Sequence, residues 1–231
     1  MTLSSKSIPP RVPEGEAMDN QEEFSLEQIN KEFKKRMREY IHFVDFIINE
    51  LHLKSHSRVL EVGPGPSWIS IILVKKCPNT DLTGLEISKD MIQIAEQNAL
   101  NEGLKDKIHF IHGNANDMSI FKDNYFDAVI SHDSLHHWEK PIMVLNEIAR
   151  VIKTDGVLCL GDGRRDIGFI AKLIFNVLKL FLSKKMSYYW KSSIMAGYTP
   201  EEARAMLNQT DLKGKCEIIA ELFDIKIYKK A

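Results

Sequence analysis

The chain has 231 residues, enough for one large domain with a proper core, and its 44% hydrophobic and 27% charged content is that of an ordinary soluble globular protein. With 31 basic and 32 acidic residues the net charge is -1, so nothing global draws the chain to nucleic acid or to an anionic membrane. Cys77, Cys159 and Cys216 are widely spaced and form no CxxC pair, which excludes a zinc knuckle or a disulfide framework and fits a reducing, cytoplasmic setting.

Residues 1–23 contain Pro9, Pro10, Pro13 and Gly15 but no apolar h-region, and they read as a flexible N-terminal arm unless docked. Residues 24–231 read as a single domain. From Leu26 to Leu53 apolar residues recur at three- and four-residue spacing (Ile29, Phe33, Met37, Tyr40, Val44, Ile47, Leu51), which predicts one amphipathic helix. Lys31, Lys34, Lys35, Arg36 and Arg38 form its solvated face; a nucleic-acid patch is the alternative, but no aromatic platform accompanies it.

Strands and helices then alternate. The strands are RVLEV, DLTGLEI, KIHFIHG, FDAVISH and GVLCLGD. Between them fall a helix stopped by Pro78, a helix capped by Ser88 and ended at Gly103, and a helix opened by Pro141 and closed near Gly156. This alternation predicts a doubly wound α/β fold with a parallel sheet, whose ligands bind at the carboxyl ends of the strands. Residues 164–199 are apolar and aromatic, and the stretch Ile167–Leu182 is too short to span a bilayer and carries Lys172 and Lys179. A helix follows, with Thr199 as cap, Pro200 at its first position and Glu202 completing the capping box; CEIIAEL and FDIKIYKK close the chain as a hairpin.

The stretch RVLEVGPGPSW decides the ligand class. A dinucleotide fingerprint places a third glycine where Trp68 stands, and Pro64 and Pro66 remove two backbone donors from the turn. No G-K-[ST] follows, so a Walker loop is excluded. The turn allows close backbone approach but cradles phosphate poorly, which suits a nucleoside ligand without phosphate.

Four segments in order, EVGPGPS, LEISKDM, HGNANDM and FDAVISHDSLHHWEKP, resemble the motifs of the class I S-adenosylmethionine-dependent methyltransferases, in particular the ubiquinone/menaquinone-biosynthesis-like (methyltransferase type 11) branch. Ser67 stands where the family has the third glycine of its first motif. The resemblance implies a mostly parallel, seven-stranded, Rossmann-like sheet with an antiparallel C-terminal hairpin. Helical cap elements at 24–53 and 164–199 are expected over the site. It implies S-adenosyl-L-methionine as cofactor, with S-adenosyl-L-homocysteine as product. By motif position, Glu61, Gly63, Gly65, Glu86, Ile87, Met91, Asn114, Ala115 and Ser131 are its candidate contacts, with Glu86 on the ribose and Asn114 near the adenine amine; Asp117 is a rival for the latter place.

At the end of the fourth strand His132, His136 and His137 are candidates for a base or an acceptor contact, since imidazole titrates near neutral pH. Packing is the alternative for each. No metal site is expected. Arg164 and Arg165 are candidates to hold an acidic substrate group, or are surface charges. Tyr188, Tyr189 and Trp190 line an acceptor site by position, or pack a helix. The acceptor is expected to be a small organic molecule, with no nucleic acid and no membrane span, and the apolar cap suggests a homodimer. An RNA or protein methyltransferase and a non-catalytic cofactor-binding relative are the competing readings.

Overall fold

The strand Arg58–Val62 (β1) is buried at its last four positions, as expected of a central parallel strand covered on both faces. The computed structural model describes residues 8–13, 25–178 and 184–231. Strands β2 (Asp81–Glu86), β3 (Ile108–His112), β4 (Phe126–His132) and β5 (Ile152–Gly163) continue the parallel sheet. At the far edge β7 (Asp224–Lys229) runs antiparallel between β5 and β6 (Glu217–Ala220). The sheet order is β3-β2-β1-β4-β5-β7-β6. Chain direction across the sheet therefore reverses between β1 and β4, and the crevice at their carboxyl ends is the switch point.

Alternation along the strands divides the core. Leu60, Val129 and Leu158 face α5 (Pro141–Val151) and α8 (Pro200–Leu207); Val59, Ala128, Ile130 and Cys159 face the other layer. That second layer comprises α1 (Leu26–Lys35), α2 (Met37–Asp45), α3 (Trp68–Lys76) and α4 (Lys89–Asn101). After β5 come α6 (Phe169–Leu178) and α7 (Lys184–Ala196). The expected caps form: Ser88 accepts from the Met91 N–H, and Thr199 with Glu202 makes a reciprocal box.

Three segments depart from expectation. The single helix over 26–53 is broken at Arg36 (φ -89°, ψ 11°), and its C-terminal part unwinds into a π-turn at Phe46–Glu50. The helix expected to run to Gly156 ends at Val151, because Ile152 pairs with Phe126 and starts β5 beside a bulge. Residues 8–13 of the expected flexible arm are docked: the Val12 N–H donates to the Met195 carbonyl, and the Pro9 carbonyl accepts from Arg165.

Candidate active site

The turn after β1 is built by backbone geometry. Gly63 has φ +68°, its N–H donates to the Leu85 carbonyl at 2.9 Å, and a Cβ there would lie 2.1 Å from Ser134 Oγ. Only glycine combines that dihedral with that approach. Ser67, at the third glycine position, adopts the same left-handed region (φ +66°, ψ 27°), and its buried hydroxyl has no hydrogen-bond partner among the described residues. Trp68 has a structural task. Its indole N–H donates to Asn30 Oδ1 at 3.0 Å, and Asn98 bonds both Asn30 and the Pro66 carbonyl. These contacts join α1, α4 and the turn.

Glu86, at the end of β2, is fixed by two backbone donors: Gly65 N–H at 3.0 Å on one oxygen and Ser88 N–H at 2.9 Å on the other. Each carboxylate oxygen keeps acceptor capacity toward the crevice. The next residue, Ile87, is 64% exposed, an apolar side chain left open beside that carboxylate. Met91 is half-buried on the first turn of α4. Asn114 Oδ1 accepts from the Asn116 N–H, and Ala115 packs on the core edge. Two candidates are spoken for underneath the turn. Ser131 donates to the Val62 carbonyl at 2.6 Å, tying β4 to β1. Glu61 is buried and accepts from the Ser70 hydroxyl; burial pushes its carboxyl up to about 7, against the pull of Ser70 and of His132.

His132 lies in a charged cluster. Its Nδ1 is 3.1 Å from Asp133 Oδ2 and its Nε2 is 3.5 Å from Glu39 Oε1. Phe43 and Tyr40 meet the ring edge-on, and Gly161 makes room for it, since a Cβ there would lie 2.7 Å from His132 Cδ2. Burial opposes charging of this imidazole, but Asp133 and then Glu39 outweigh it and hold its pKa above the usual value. Asp133 is held well below the carboxylate range: burial opposes this, and Arg36 and His132 overcome it. Glu39, His132 and Asp133 bring potential metal-ligand atoms within 4.8 Å of one another, the one such group among the described residues. Arg36 already supplies the cation, pairing with Asp133 and gripping Glu39 through Nε and Nη2. The helix break at Arg36 delivers this contact. From sequence Arg36 reads as part of the solvated basic face and Tyr40 as an apolar helix position; instead Arg36 turns into this cluster because Asp133 and Glu39 pair with it, and Glu39, not singled out from sequence, had only its i, i+3 spacing as a signal. The Tyr40 hydroxyl is buried and has no hydrogen-bond partner among the described residues.

His136 follows on a 3₁₀ turn (Leu135–His137) and is buried. Its Nδ1 lies 2.6 Å from Asp162 Oδ1 and its backbone N–H donates to Asp162 Oδ2 at 2.7 Å. Asp162 ends β5, so the dyad bridges the tips of adjacent strands. His137 is exposed, with its ring 4.0 Å from that of His136. Arg11 crosses the same place: it donates to the His136 and Ala196 carbonyls at 2.7 Å each and lies 4.4 Å from the centre of the Tyr198 ring. Arg164 is engaged by Asp166, and Arg165 by Glu202 and the Pro9 and Gly197 carbonyls. The two guanidiniums hold the loop after β5 together. Tyr188 is 39% exposed on α7; the side chains of Tyr189 and Trp190 lie outside the described residues.

The sequence and the fold match known proteins. The family model described as a methyltransferase domain matches residues 60–160. Demethylmenaquinone methyltransferase of Bacillus licheniformis is 31% identical over 164 residues, covering 70% of this chain and 69% of that one. The chain belongs to the class I S-adenosylmethionine-dependent methyltransferases. An uncharacterized methyltransferase of Schizosaccharomyces pombe is 34% identical over 113 residues, 47% of this chain and 40% of the relative. The chain spans 63% of the demethylmenaquinone methyltransferase of Staphylococcus haemolyticus. Among solved structures, the plantazolicin methyltransferase BpumL in complex with SAH aligns with TM-score 0.71 at 17% identity, over 94% of this chain and 93% of that one, a likeness of fold. S-adenosylmethionine is the methyl donor of this family, and no helix among the described residues is long and apolar enough to cross a membrane.

Proposed function

We propose that the chain transfers a methyl group from S-adenosylmethionine to a small, quinone-type ring acceptor in the crevice above β1 and β4. One observation carries the reading. The Glu86 carboxylate is fixed by Gly65 and Ser88 beside a phosphate-poor glycine turn, where it presents acceptors to a ribose diol. The exposed Ile87 and the Asn114–Ala115 loop would flank an adenine. Gly65, where a Cβ would meet only Phe33 at 3.8 Å among the described residues, leaves room for close backbone approach, and Tyr40 and Arg36 would face the amino-acid end. The cofactor, when bound, supplies an activated methyl group on a sulfonium.

This chain's own residues must then orient the acceptor and manage its proton. His136 is the proposed base. Asp162 accepts from its Nδ1–H, which leaves the lone pair of a neutral ring on Nε2. The quinone-type acceptor rests on relatives named for demethylmenaquinone and for 2-methyl-6-phytyl-1,4-hydroquinone. Tyr188, exposed on α7, is the proposed acceptor contact on that helix. Calorimetric titration with S-adenosylmethionine and, in parallel, NAD tests the site. Binding of the first alone is expected, weakened at least about tenfold in Glu86→Ala, since a carboxylate on a sugar diol makes hydrogen bonds worth ~1.5–3 kcal/mol. Unchanged affinity in the variant would remove Glu86 from the ribose.

A further inference from the structure

Asn98 lies on α4 and is buried, yet its amide serves other elements. Its Nδ2 donates to the Pro66 carbonyl of the glycine turn and to Asn30 Oδ1 on α1, and its Oδ1 accepts from Asn30 Nδ2, each at 2.9 Å. The Trp68 indole closes the node on Asn30 Oδ1, and Lys34 Nζ stands 5.0 Å from the centre of the Trp68 ring. A buried amide must find its partners, and these partners lie on the turn and on α1 rather than on α4 itself. Helix α1 buries no residue, whereas α2 buries Tyr40, Phe43 and Val44. The polar node, with half-buried Ile29 and Phe33, therefore fixes where α1 lies.

Phe33 follows Asn30 by three residues and so shares its face of α1. Its ring is carried over the glycine turn. The open side of Gly65, where a Cβ would stand, faces Phe33 Cε1 at 3.8 Å, the one neighbour within 4 Å among the described residues. The Gly65 N–H in turn donates to Glu86 Oε2. Phe33, Gly65 and Glu86 thus border one space. A carboxylate there takes the hydroxyls of a sugar, and an aromatic ring offers an apolar face to its C–H edge. We infer that Phe33 is a wall of the cofactor site on the ribose side of S-adenosylmethionine, and that Asn30 and Asn98 are positioning residues that hold it there. Asn30 acts on Phe33 through α1, while Asn98 holds both α1 and the Pro66 carbonyl. The inference rests on the proposed place of the ribose at Glu86. Phe33 also packs on the edge of the core, so a purely structural role is the reading the test must exclude.

The test is calorimetric titration of the full chain with S-adenosylmethionine in a double-mutant cycle, with thermal melts to check folding. Phe33→Ala should raise Kd at least about fivefold, the scale of losing one aromatic contact, and Phe33→Tyr should restore binding to within about twofold. Asn30→Ala should weaken binding severalfold in the same direction. Because Asn30 acts through Phe33, the double variant should bind about as Phe33→Ala alone, so the two effects should not multiply. A positioning role predicts this even where the melts show that each variant is folded. Two results would overturn the inference: affinity within about twofold of wild type in Phe33→Ala, or effects of Asn30→Ala and Phe33→Ala that multiply in full. Glu86→Ala measured beside them separates the two readings. Unchanged affinity in that variant strikes the placement of the ribose, and this inference with it; weakened affinity there with unchanged affinity in Phe33→Ala strikes the role of Phe33 alone.

Discussion

At the residue scale, Asp162 and Glu61 are two buried carboxyl groups held by different donors. Asp162 accepts three N–H groups, from His136 Nδ1, the His136 backbone and the Gly163 backbone at 2.8 Å. Asp162→Asn sets an NH₂ against one of those donors and frees the imidazole to take the other tautomer. The turnover number should fall about 10²-fold, the usual scale of general-base help, with S-adenosylmethionine affinity within about twofold by calorimetry. Unchanged turnover would leave the dyad a packing device. Glu61 is held by the Ser70 hydroxyl. Its folded pKa of about 7 exceeds the ordinary 4.5, so between those values the folded state keeps a proton the unfolded chain has lost. Stability contributed there falls as pH rises from about 4.5 to about 7 and is level above. Glu61→Gln keeps an acceptor for Ser70 and removes that fall. In thermal melts its melting temperature relative to wild type should climb by several degrees between about pH 5 and pH 8, at ~2–4 °C per kcal/mol for a chain this size. A difference independent of pH would contradict a buried carboxyl that titrates late.

At the element scale, the turn from Gly63 to Ser67 was legible as a turn because glycine and proline punctuate it, and its ligand class because Pro64 and Pro66 remove donors a phosphate needs and Trp68 stands where a dinucleotide site has glycine. Ser67 in the left-handed region is the cost of lacking the third glycine, roughly 1–2 kcal/mol for a residue with a Cβ. Ser67→Gly removes that strain and a buried hydroxyl without a described partner. Extra backbone freedom in the unfolded chain offsets part of the gain. Denaturant unfolding should show a net stabilisation of about 1 kcal/mol with cofactor affinity retained; a destabilised variant would mean that the hydroxyl has a partner. The strands and capped helices were legible because period and caps are local signals. The break at Arg36 was not, because the apolar spacing runs through it without interruption and its cause, Asp133, lies at the end of β4. For the same reason Ile152 reads as the end of a helix until its pairing with Phe126 is known.

At the scale of the whole molecule, pieces far apart in sequence are joined beside the proposed base. Arg11 joins the His136 carbonyl at the tip of β4 to the Ala196 carbonyl at the end of α7, and it stacks on Tyr198. Pro9 reaches Arg165 beyond β5, and Val12 reaches Met195. A proline-rich arm carries no local signal for such a clasp, which is why composition alone reads it as free. The clasp couples the end of α7 to the proposed base, since movement of the His136 backbone would draw on the same guanidinium. Arg11→Ala removes two hydrogen bonds to carbonyls and a cation–π contact, a loss of about 1–3 kcal/mol in the closed state. The β-sheet does not depend on these contacts, so the effect should be local. Hydrogen exchange should quicken for amides near Ser193–Tyr198 and around His136 while β1 and β4 keep their protection. The acceptor's KM should rise with S-adenosylmethionine affinity preserved, because Glu86 and the glycine turn lie on elements the arm does not touch. Equal exchange in the two proteins at Ser193–Tyr198 would mean that Val12 and Pro9 hold the end of α7 without Arg11.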